Sequence, residues 1–226
     1  PGGIVAACGN AGGIKINTTV MPFIIRGVKL WGIDSSGSSI KRRQFIWNEV
    51  AKLIDFSGKV VESEDNKFKK DDDVILTGFR VGEAYYGGFA QYAKVDSNFL
   101  IKTPKEIDNR KAMMLGTAGF TSLLCAFAVK AKEELLLGEK VKDVLVTGAT
   151  GGVGSIAVMI LSKMGYDVHA VTGKKDKSGY LKDLGAKNII DRKEFEGESK
   201  LLEKGVWDGV VDTVGGSALT KIFAET

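Results

Sequence analysis

The sequence predicts an α/β fold, a doubly wound parallel sheet accompanied by a second, β-rich part. From Lys142 to Thr226, short apolar runs alternate with helical patterns, which is typical of a parallel sheet covered by helices on both faces. A glycine-rich turn joins the first of these runs to the helix that follows it. Between Phe56 and Ile101, short runs of strand-forming residues are separated by Gly, Asp and Lys, which indicates a β-rich module.

The glycine-rich turn is Thr147-Gly-Ala-Thr-Gly-Gly-Val-Gly154. It follows an apolar run and leads into Ser155–Met164, whose apolar residues have helical spacing, and a second strand is expected at Asp167–Thr172. Backbone N–H groups at such a helix N-terminus bind a pyrophosphate, and glycine lets the phosphate approach the backbone closely. The pattern predicts a dinucleotide site; a tight turn with no ligand is the alternative.

The other elements follow from the same patterns. The expected strands of the parallel sheet are 144–147, 168–172, 187–190 and 207–212, two fewer than a nucleotide-binding sheet of this type needs. The two missing strands look like Ile4–Cys8 and Val28–Ile33. Helices are expected at Thr18–Ile25, Ile40–Leu53, Asp108 to about Lys132, and Ser217–Ala224. The strands of the β-rich module are expected at Lys59–Ser63, Asp73–Thr77, Phe89–Val95 and Phe99–Ile101.

The composition is that of an ordinary globular protein, with 226 residues, 44% hydrophobic and 27% charged. The net charge of +4 comes from scattered lysines without interleaved aromatic residues, so no nucleic-acid partner is expected. Cys8 and Cys125 lie in apolar surroundings and no secretory signal pattern is visible, which favours the cytoplasm. Met113–Val129, the longest weakly polar stretch, is expected to be a buried helix, so no membrane partner is expected.

The residues that follow the strand expected at Asp167–Thr172 indicate which dinucleotide is bound. NAD-specific folds place Asp or Glu there to bind the ribose 2′-OH. Here Thr172-Gly-Lys-Lys175 carries no carboxylate until Asp176, and lysine favours a 2′-phosphate. The pattern predicts NADPH, with a solvated loop as the alternative. No metal site is expected, because the single histidine, His169, lies within a strand and the two cysteines lack Cys-x-x-Cys spacing.

Several segments resemble the zinc-independent branch of the medium-chain dehydrogenase/reductase superfamily, in its quinone-oxidoreductase-like group with the NADPH-dependent acrylyl-CoA reductases. The matching segments are Gly58–Glu64, Val74–Gly82, Gly87–Ala93, Gly116–Thr121, Val144–Ser155, Asp212–Gly215, Ala6–Gly9, Thr18–Ile24 and Gly32–Ser35. The resemblance implies a Rossmann-type sheet plus a partial GroES-like β-rich domain. It also implies that activated C=C bonds or quinones are reduced by hydride transfer, often in a homodimer formed through the sheet edge near Val28–Ile33.

The order of the segments departs from that family. Residues 1–53 resemble the last strands and helices of the nucleotide-binding domain, 54–115 part of the GroES-like catalytic domain, and 116–226 the dinucleotide-binding domain. The two pieces are therefore expected to be joined in reverse order near residues 53–54, and the family's first strands and last C-terminal stretch are expected to be absent. A natural permutation, an engineered rearrangement and reassigned numbering all remain open.

The resemblance also implies a set of cofactor contacts. The residues expected at the pyrophosphate are Thr150, Gly151, Gly152, Val153, Gly154 and Ser155. Those expected around the adenosine phosphate are Thr172, Gly173, Lys174, Ser178 and Arg192. Those expected at the nicotinamide half are Cys8, Gly9, Asn10, Ile24, Ser35 and Thr117. For Cys8, Ile24 and Thr117, packing in the core is an equal alternative.

No catalytic residue is assigned. The Asn-Tyr pair that the resemblance implies beside the nicotinamide has no match here, while Tyr85 and Tyr86 lie on a loop that either shapes an acyl pocket or is plain surface. The glycine motif also fits an extended short-chain dehydrogenase, but none of the five tyrosines is followed by lysine four positions later. The leading hypothesis is an NADPH-dependent reductase of a small quinone, enone or acyl-CoA. The alternative is an NADPH-binding protein or fragment without turnover.

Overall fold

The structure is a computed structural model of the chain and describes residues 2–9, 11–51, 58–59, 64, 66–81, 83–85, 92–106, 108–135, 140–197 and 203–226. Its strands are β1 (Ile4–Ala7), β2 (Lys29–Gly32), β3 (Gly58–Lys59), β4 (Asp73–Leu76), β5 (Leu100–Lys102), β6 (Asp143–Val146), β7 (Asp167–Thr172), β8 (Asn188–Asp191) and β9 (Gly209–Asp212). Its helices are α1 (Met21–Arg26), α2 (Ile40–Ala51), α3 (Asn109–Leu135), α4 (Gly152–Lys163), α5 (Ser178–Asp183) and α6 (Gly216–Glu225).

Residues 1–33 and 121–226 form one compact unit. Its sheet has six parallel strands in the order β2-β1-β9-β6-β7-β8. Val5 of β1 pairs with Leu30 on one side and with Val210 on the other. The prediction that two N-terminal strands complete the sheet is therefore confirmed, and so is the α/β class. The altered segment order is compatible with a continuous sheet.

The central strands are apolar because helices cover both faces of the sheet. Val144, Leu145 and Val146 of β6 are completely buried, as are Val210 and Val211 of β9. Strands buried on both faces have continuous apolar runs in place of alternating ones. This is why the sequence pattern identified these strands within one or two residues.

Helix α6 closes the core of this unit. Its buried face presents Leu219, Ile222 and Phe223 to the sheet residues Val5 and Val210. The ring of Phe223 also lies 5.5 Å from that of Phe23 on α1. Helix α1, expected at Thr18–Ile25, has a proline in its first turn, where the missing N–H costs nothing.

Residues 34–120 form the second compact unit, with α2 and an antiparallel sheet in the order β3-β4-β5. A 3₁₀ turn occupies Ser97–Phe99, where the sequence predicted the start of a strand, because the Asp96 side chain accepts a hydrogen bond from the Asn98 N–H and caps the turn. Most of the predicted strands Lys59–Ser63 and Phe89–Val95, and the junction at residues 53–54, lie outside the described residues; 92–95 are irregular.

A buried arginine organises this second unit. Arg43 of α2 is 1% exposed, and its guanidinium makes five hydrogen bonds of 2.6–3.3 Å to oxygens. The acceptors are the carbonyls of Ser35, Ser36, Ser38 and Thr77 and the hydroxyl of Thr77. The guanidinium also lies over the ring of Phe79, at 4.5 Å. Arg43 therefore fixes the loop that follows β2.

Helix α3 is the longest helix, and it changes direction at Gly116, which has φ 48° and ψ −145°. Residues Asn109–Glu133 are long and apolar enough to span a membrane, with a mean hydropathy of 1.8, but 67% of that apolar window is buried within the protein. A core helix passes the same test of length and composition. The predicted buried helix is confirmed, over a longer range than 113–129.

Candidate nucleotide-binding site

The glycine-rich turn joins β6 to α4 and is too tight for side chains at two positions. Gly148 has φ +57°, and a Cβ on Gly154 would lie 2.3 Å from the carbonyl oxygen of Gly148. Gly151, at the N-cap of α4, carries no capping side chain, and both Gly151 and Gly152 are exposed. The first N–H groups of α4 therefore face no protein cap, which is the arrangement that binds a phosphate.

A hydrogen-bond network behind the turn connects β6 to β9. The Thr147 hydroxyl donates to Asp212 Oδ1 at 2.7 Å and accepts from the Thr213 N–H at 3.0 Å. The Thr213 hydroxyl donates to the Thr147 carbonyl at 2.9 Å. Asp212 is completely buried, and this burial raises the pKa of its carboxyl group although the Thr147 hydroxyl and the Gly215 N–H donate to it.

Further contacts fix the turn on its other sides. The Ala149 N–H donates to the Val171 carbonyl of β7 at 3.1 Å. The Ser122 hydroxyl of α3 donates to the Val153 carbonyl in the first turn of α4 at 2.7 Å. With three strands and a helix holding it, the turn is rigid before any ligand binds, and such preorganisation reduces the entropic cost of binding.

The carboxyl end of β7 carries the cationic side chains expected near the adenosine phosphate. Thr172 and Thr150 have hydroxyl oxygens 3.3 Å apart, and the Lys174 N–H donates to the Thr172 hydroxyl at 3.0 Å. The Arg192 side chain lies against Gly173, where a Cβ would come within 2.8 Å of Arg192 Cδ and Nε. The structure thus brings these expected residues together at neighbouring strand ends.

Two acidic residues share this edge. Arg192 Nε lies 3.7 Å from Glu196 Oε1, and Lys175 Nζ lies 3.1 Å from Asp191 Oδ2. Ser178, also expected at the phosphate, donates its hydroxyl to the Lys175 carbonyl at 2.8 Å. Lys174 is exposed and makes no ion pair with any residue that the structure describes.

The segment after β1 lies beside the Asp212 network. The Cys8 N–H donates to the Asp212 carbonyl at 3.0 Å, and a Cβ on Gly9 would lie 2.2 Å from the Thr213 carbonyl oxygen. Cys8 and Gly9 therefore stand at the same carboxyl edge of the sheet as the glycine-rich turn. Asn10 lies outside the described residues.

The other residues expected at the nicotinamide half are placed as follows. Ile24 is 72% exposed on α1, and Thr117 is exposed on α3, so the alternative of core packing is wrong for both, while Cys8 is half-buried. Ser35 and Thr117 belong to the unit formed by residues 34–120. Tyr85 in that unit is 57% exposed with its ring 5.5 Å from that of Phe99, and Tyr86 lies outside the described residues.

His169 is packed, as expected of a lone strand histidine. Its Nε2 lies 2.9 Å from Asp143 Oδ1, and its ring meets the Trp207 ring edge-on at 4.9 Å. The described residues contain no group of three or more His, Cys, Asp or Glu side chains that could hold a metal ion. These residues therefore do not fit a zinc site, and we derive no chemistry through zinc.

Sequence reasoning missed the residues that support the turn. The sequence patterns include Asp212 only within the Asp212–Gly215 segment and Thr147 only at the start of the glycine-rich motif, and assign neither a supporting role. A signal was present in both cases, because a polar side chain directly after an apolar strand stands at the sheet edge where the other strands end. Ser122 gave no such signal, since it lies inside a continuous helical pattern.

A family model for zinc-binding dehydrogenases matches residues 152–224. The probable acrylyl-CoA reductase AcuI of Escherichia coli (strain K12) is 47% identical over 76% of this chain and 52% of its own length. The putative quinone oxidoreductase YhfP of Bacillus subtilis (strain 168) is 43% identical over 76% of this chain and 52% of its own length. The chain thus spans about half the length of the curated relatives it matches.

Solved structures agree with these relatives. The yhdH oxidoreductase from Salmonella enterica, in complex with NADP, has a TM-score of 0.70 at 46% identity, covering 75% of this chain and 51% of that one. The Bacillus subtilis protein yhfP, with NAD bound, has a TM-score of 0.69 at 37% identity, covering 83% of this chain and 60% of that one. Over about three quarters of its length, the chain is therefore similar in sequence and structure to these oxidoreductases, and its sheet is parallel and Rossmann-like.

Proposed function

We propose that this chain binds NADPH and acts as an oxidoreductase that reduces an activated C=C bond or a quinone by hydride transfer without a metal. The observation that carries the proposal is the uncapped N-terminus of α4 next to a turn in which a Cβ on Gly154 would lie 2.3 Å from a backbone oxygen. Such a cradle has room for a phosphate and none for side chains.

Three groups of residues bind three parts of the cofactor. The turn Thr150–Ser155 binds the pyrophosphate through backbone N–H groups. Arg192 and Lys174 bind the adenosine phosphate. Cys8 and Gly9, at the carboxyl end of β1, line the nicotinamide half. Bound NADPH supplies the hydride for the substrate; the residues named here bind and orient the cofactor.

The choice of NADPH over NADH rests on charge. One structural relative was solved with NADP and another with NAD, so similarity to these structures leaves the choice open. In this chain no carboxylate follows β7 directly, and the side chain of Arg192 lies against Gly173. A guanidinium binds a phosphate with charge-assisted hydrogen bonds and offers less to a ribose hydroxyl.

A glycine substitution with a matched control tests the binding site. In Gly154→Ala the new methyl group would overlap the Gly148 carbonyl, so NADPH binding is expected to be lost. Gly179→Ala is the control, because a Cβ at that exposed position on α5 meets nothing within 4 Å. NADPH fluorescence titration of the three proteins measures the effect. Equal affinity in Gly154→Ala and the original chain would overturn the proposed site.

A second candidate function is NADPH binding without turnover. It is favoured by the chain's coverage of about half of its curated relatives and by the absence of an assigned catalytic residue. The two candidates are separated by NADPH oxidation in the presence of acrylyl-CoA, a small enone or a quinone. Oxidation that depends on one of these acceptors supports the reductase. Saturable NADPH binding with no oxidation by any of them supports the binding protein.

We also propose that the chain forms a homodimer in the cytoplasm through the free edge of β2. Among the residues that the structure describes, β2 is the last strand on this side of the sheet, and its Leu30 and Trp31 side chains are 39% and 38% exposed. An unpaired strand edge with apolar side chains is a surface that pairs with a second chain. A Leu30→Lys variant that becomes monomeric in sedimentation analysis would support this interface.

The proposed domain assignment places residues 1–53 and 116–226 in the dinucleotide-binding domain and 54–115 in a partial GroES-like domain. The pairing of β1 with β9 supports it for residues 1–33, since it brings this segment into the same sheet as the glycine-rich turn; helix α2, in contrast, lies in the compact unit of residues 34–120. Intact mass and peptide mapping across Leu53–Ile54 test whether the two pieces are covalently joined in this order.

A further inference from the structure

The guanidinium proposed to bind the adenosine phosphate faces a carboxylate of this chain. Arg192 Nε lies 3.7 Å from Oε1 of Glu196, which follows four residues later. The Arg192 side chain also lies against Gly173, directly after β7, at the place proposed for that phosphate. Glu196 makes an ion pair with no other residue that the structure describes. A negative charge therefore stands beside the guanidinium that the phosphate needs.

A short turn keeps these two side chains within reach of each other. A 3₁₀ turn begins at Arg192 and ends at Phe195, and Glu196 follows it directly. Phe195 is buried in the core that α6 closes, and Lys221 of α6 donates a hydrogen bond to the Glu194 carbonyl. Because the backbone between Arg192 and Glu196 is anchored at two points, the ion pair is already positioned before a ligand binds.

Glu196 differs from the other acidic residue at this edge, because it does not support the turn. Asp191 Oδ1 accepts the Lys193 N–H at 3.1 Å and so caps the turn, while Asp191 Oδ2 lies 3.1 Å from Lys175 Nζ. Within the described parts of the chain, the Glu196 carboxylate accepts no hydrogen bond from the backbone. The charge of Glu196 can therefore be removed without taking a cap from the turn.

We propose that Glu196 competes with the adenosine phosphate for Arg192 and so lowers the affinity of this chain for NADPH but not for NADH. The competition rests on the proposed function, in which Arg192 binds that phosphate. A phosphate that takes the Nε side of the guanidinium displaces the carboxylate, and a phosphate on the other N–H groups lies near a second negative charge; both cost affinity. NADH carries a ribose hydroxyl in place of this phosphate, and a neutral hydroxyl escapes both costs.

Glu196→Gln removes the charge and keeps nearly the same side-chain volume. The side chains of Arg192 and Glu196 are 70% and 61% exposed, so solvent screens their interaction and the effect is modest. We expect the NADPH affinity to rise about twofold to fivefold, with the NADH affinity unchanged. Glu194→Gln is the matched control, because it removes one exposed negative charge from the same turn and Glu194 makes no ion pair with any described residue. Fluorescence titration of each protein with both nucleotides measures the affinities.

Different results overturn the competition by Glu196 and the proposed function itself. No NADPH binding by the original chain would overturn the proposed function, and the competition with it. NADPH binding that is equally tight in the original chain and in Glu196→Gln, or a gain of equal size in Glu194→Gln, would overturn the competition alone. In an Arg192→Ala background we expect Glu196→Gln to raise the NADPH affinity less than it does in the original chain. An undiminished gain in that background would show that Glu196 does not act through Arg192.

Discussion

Thr147 and Asp212 stand at the ends of two neighbouring strands, and the hydroxyl of the first donates a 2.7 Å hydrogen bond to the carboxylate of the second. The second carboxylate oxygen accepts the Gly215 N–H at 2.8 Å. Thr213 is hydrogen-bonded to Thr147 and also packs against the glycine-rich turn, since a Cβ on Gly148 would lie 2.3 Å from the Thr213 hydroxyl. The shape of the phosphate cradle therefore depends on a buried polar contact behind it.

Replacing Thr147 with valine tests that dependence. The variant keeps the volume but leaves the Thr213 N–H without its partner and leaves Asp212 Oδ1 with only the Val214 N–H, at 3.4 Å. A buried polar group without a partner costs about 1–3 kcal/mol, so we expect the free energy of unfolding to fall by about that amount. Urea denaturation measures it. Thr147→Ser, which keeps the hydroxyl, should recover most of the loss; a valine variant as stable as the original chain would contradict the prediction.

Asp212 predicts a pH dependence of stability. Burial raises its pKa in the folded protein above the value in the unfolded chain. Between these two pKa values the folded state binds more protons, so the contribution of Asp212 to stability decreases as the pH rises through this window. The free-energy cost of burying the ionised Asp212 carboxylate is fully present above the folded-state pKa and is relieved as the pH falls below it.

The measurement compares the original chain with Asp212→Asn by urea unfolding at a series of pH values. The asparagine variant is less stable at every pH, because its amide N–H₂ cannot accept both hydrogen bonds that the carboxylate accepts. As the pH is lowered from neutral, the unfolding free energy of the original chain should increase relative to that of the asparagine variant. A constant difference across acidic pH would show that burial does not perturb this carboxyl group.

The Arg43→Lys variant tests whether the hydrogen bonds of Arg43 stabilise the unit formed by residues 34–120. Lysine keeps the charge but offers fewer donors, in a different geometry, to oxygens that now receive five hydrogen bonds. We expect a loss of about 3 kcal/mol in the free energy of unfolding, as for other buried charges deprived of partners. Arg42→Lys is the matched control, because Arg42 is exposed on the same helix and should change stability little. Equal effects in the two variants would contradict the assigned role.

The sequence predicted those elements whose pattern is local. The runs at Val144–Val146 and Val210–Val211 are continuous and apolar, and both became central strands. The helix expected at Thr18–Ile25 is observed at Met21–Arg26. The completion of the sheet by two N-terminal strands could be expected as well, because the sheet lacked two strands and the N-terminus offered two apolar runs; that β1 pairs with β9 is shown by the structure.

The features that depend on long-range contacts could not be predicted. Arg43 lies in the run Lys41-Arg-Arg43, which has the composition of an exposed helix face, and it is buried because loop carbonyls converge on it. Ile24 was equally consistent with core and surface, and only the packing of Phe23 against Phe223 shows which side of α1 faces inward.

Cofactor preference gives the final prediction. Replacing Arg192 with alanine removes a guanidinium that lies against Gly173, at the place proposed for the adenosine phosphate. A charge-assisted hydrogen bond contributes about 1.5–3 kcal/mol, so the affinity for NADPH should fall about 10-fold to 100-fold, while the affinity for NADH should stay the same. Lys174→Ala is expected to shift the ratio in the same direction. Lys163→Ala is the control, because it removes one exposed positive charge at the opposite end of α4. Titration of each variant with both nucleotides measures the ratio, and an equal loss of NADPH and NADH affinity in the Arg192 variant would show that this residue does not read the phosphate.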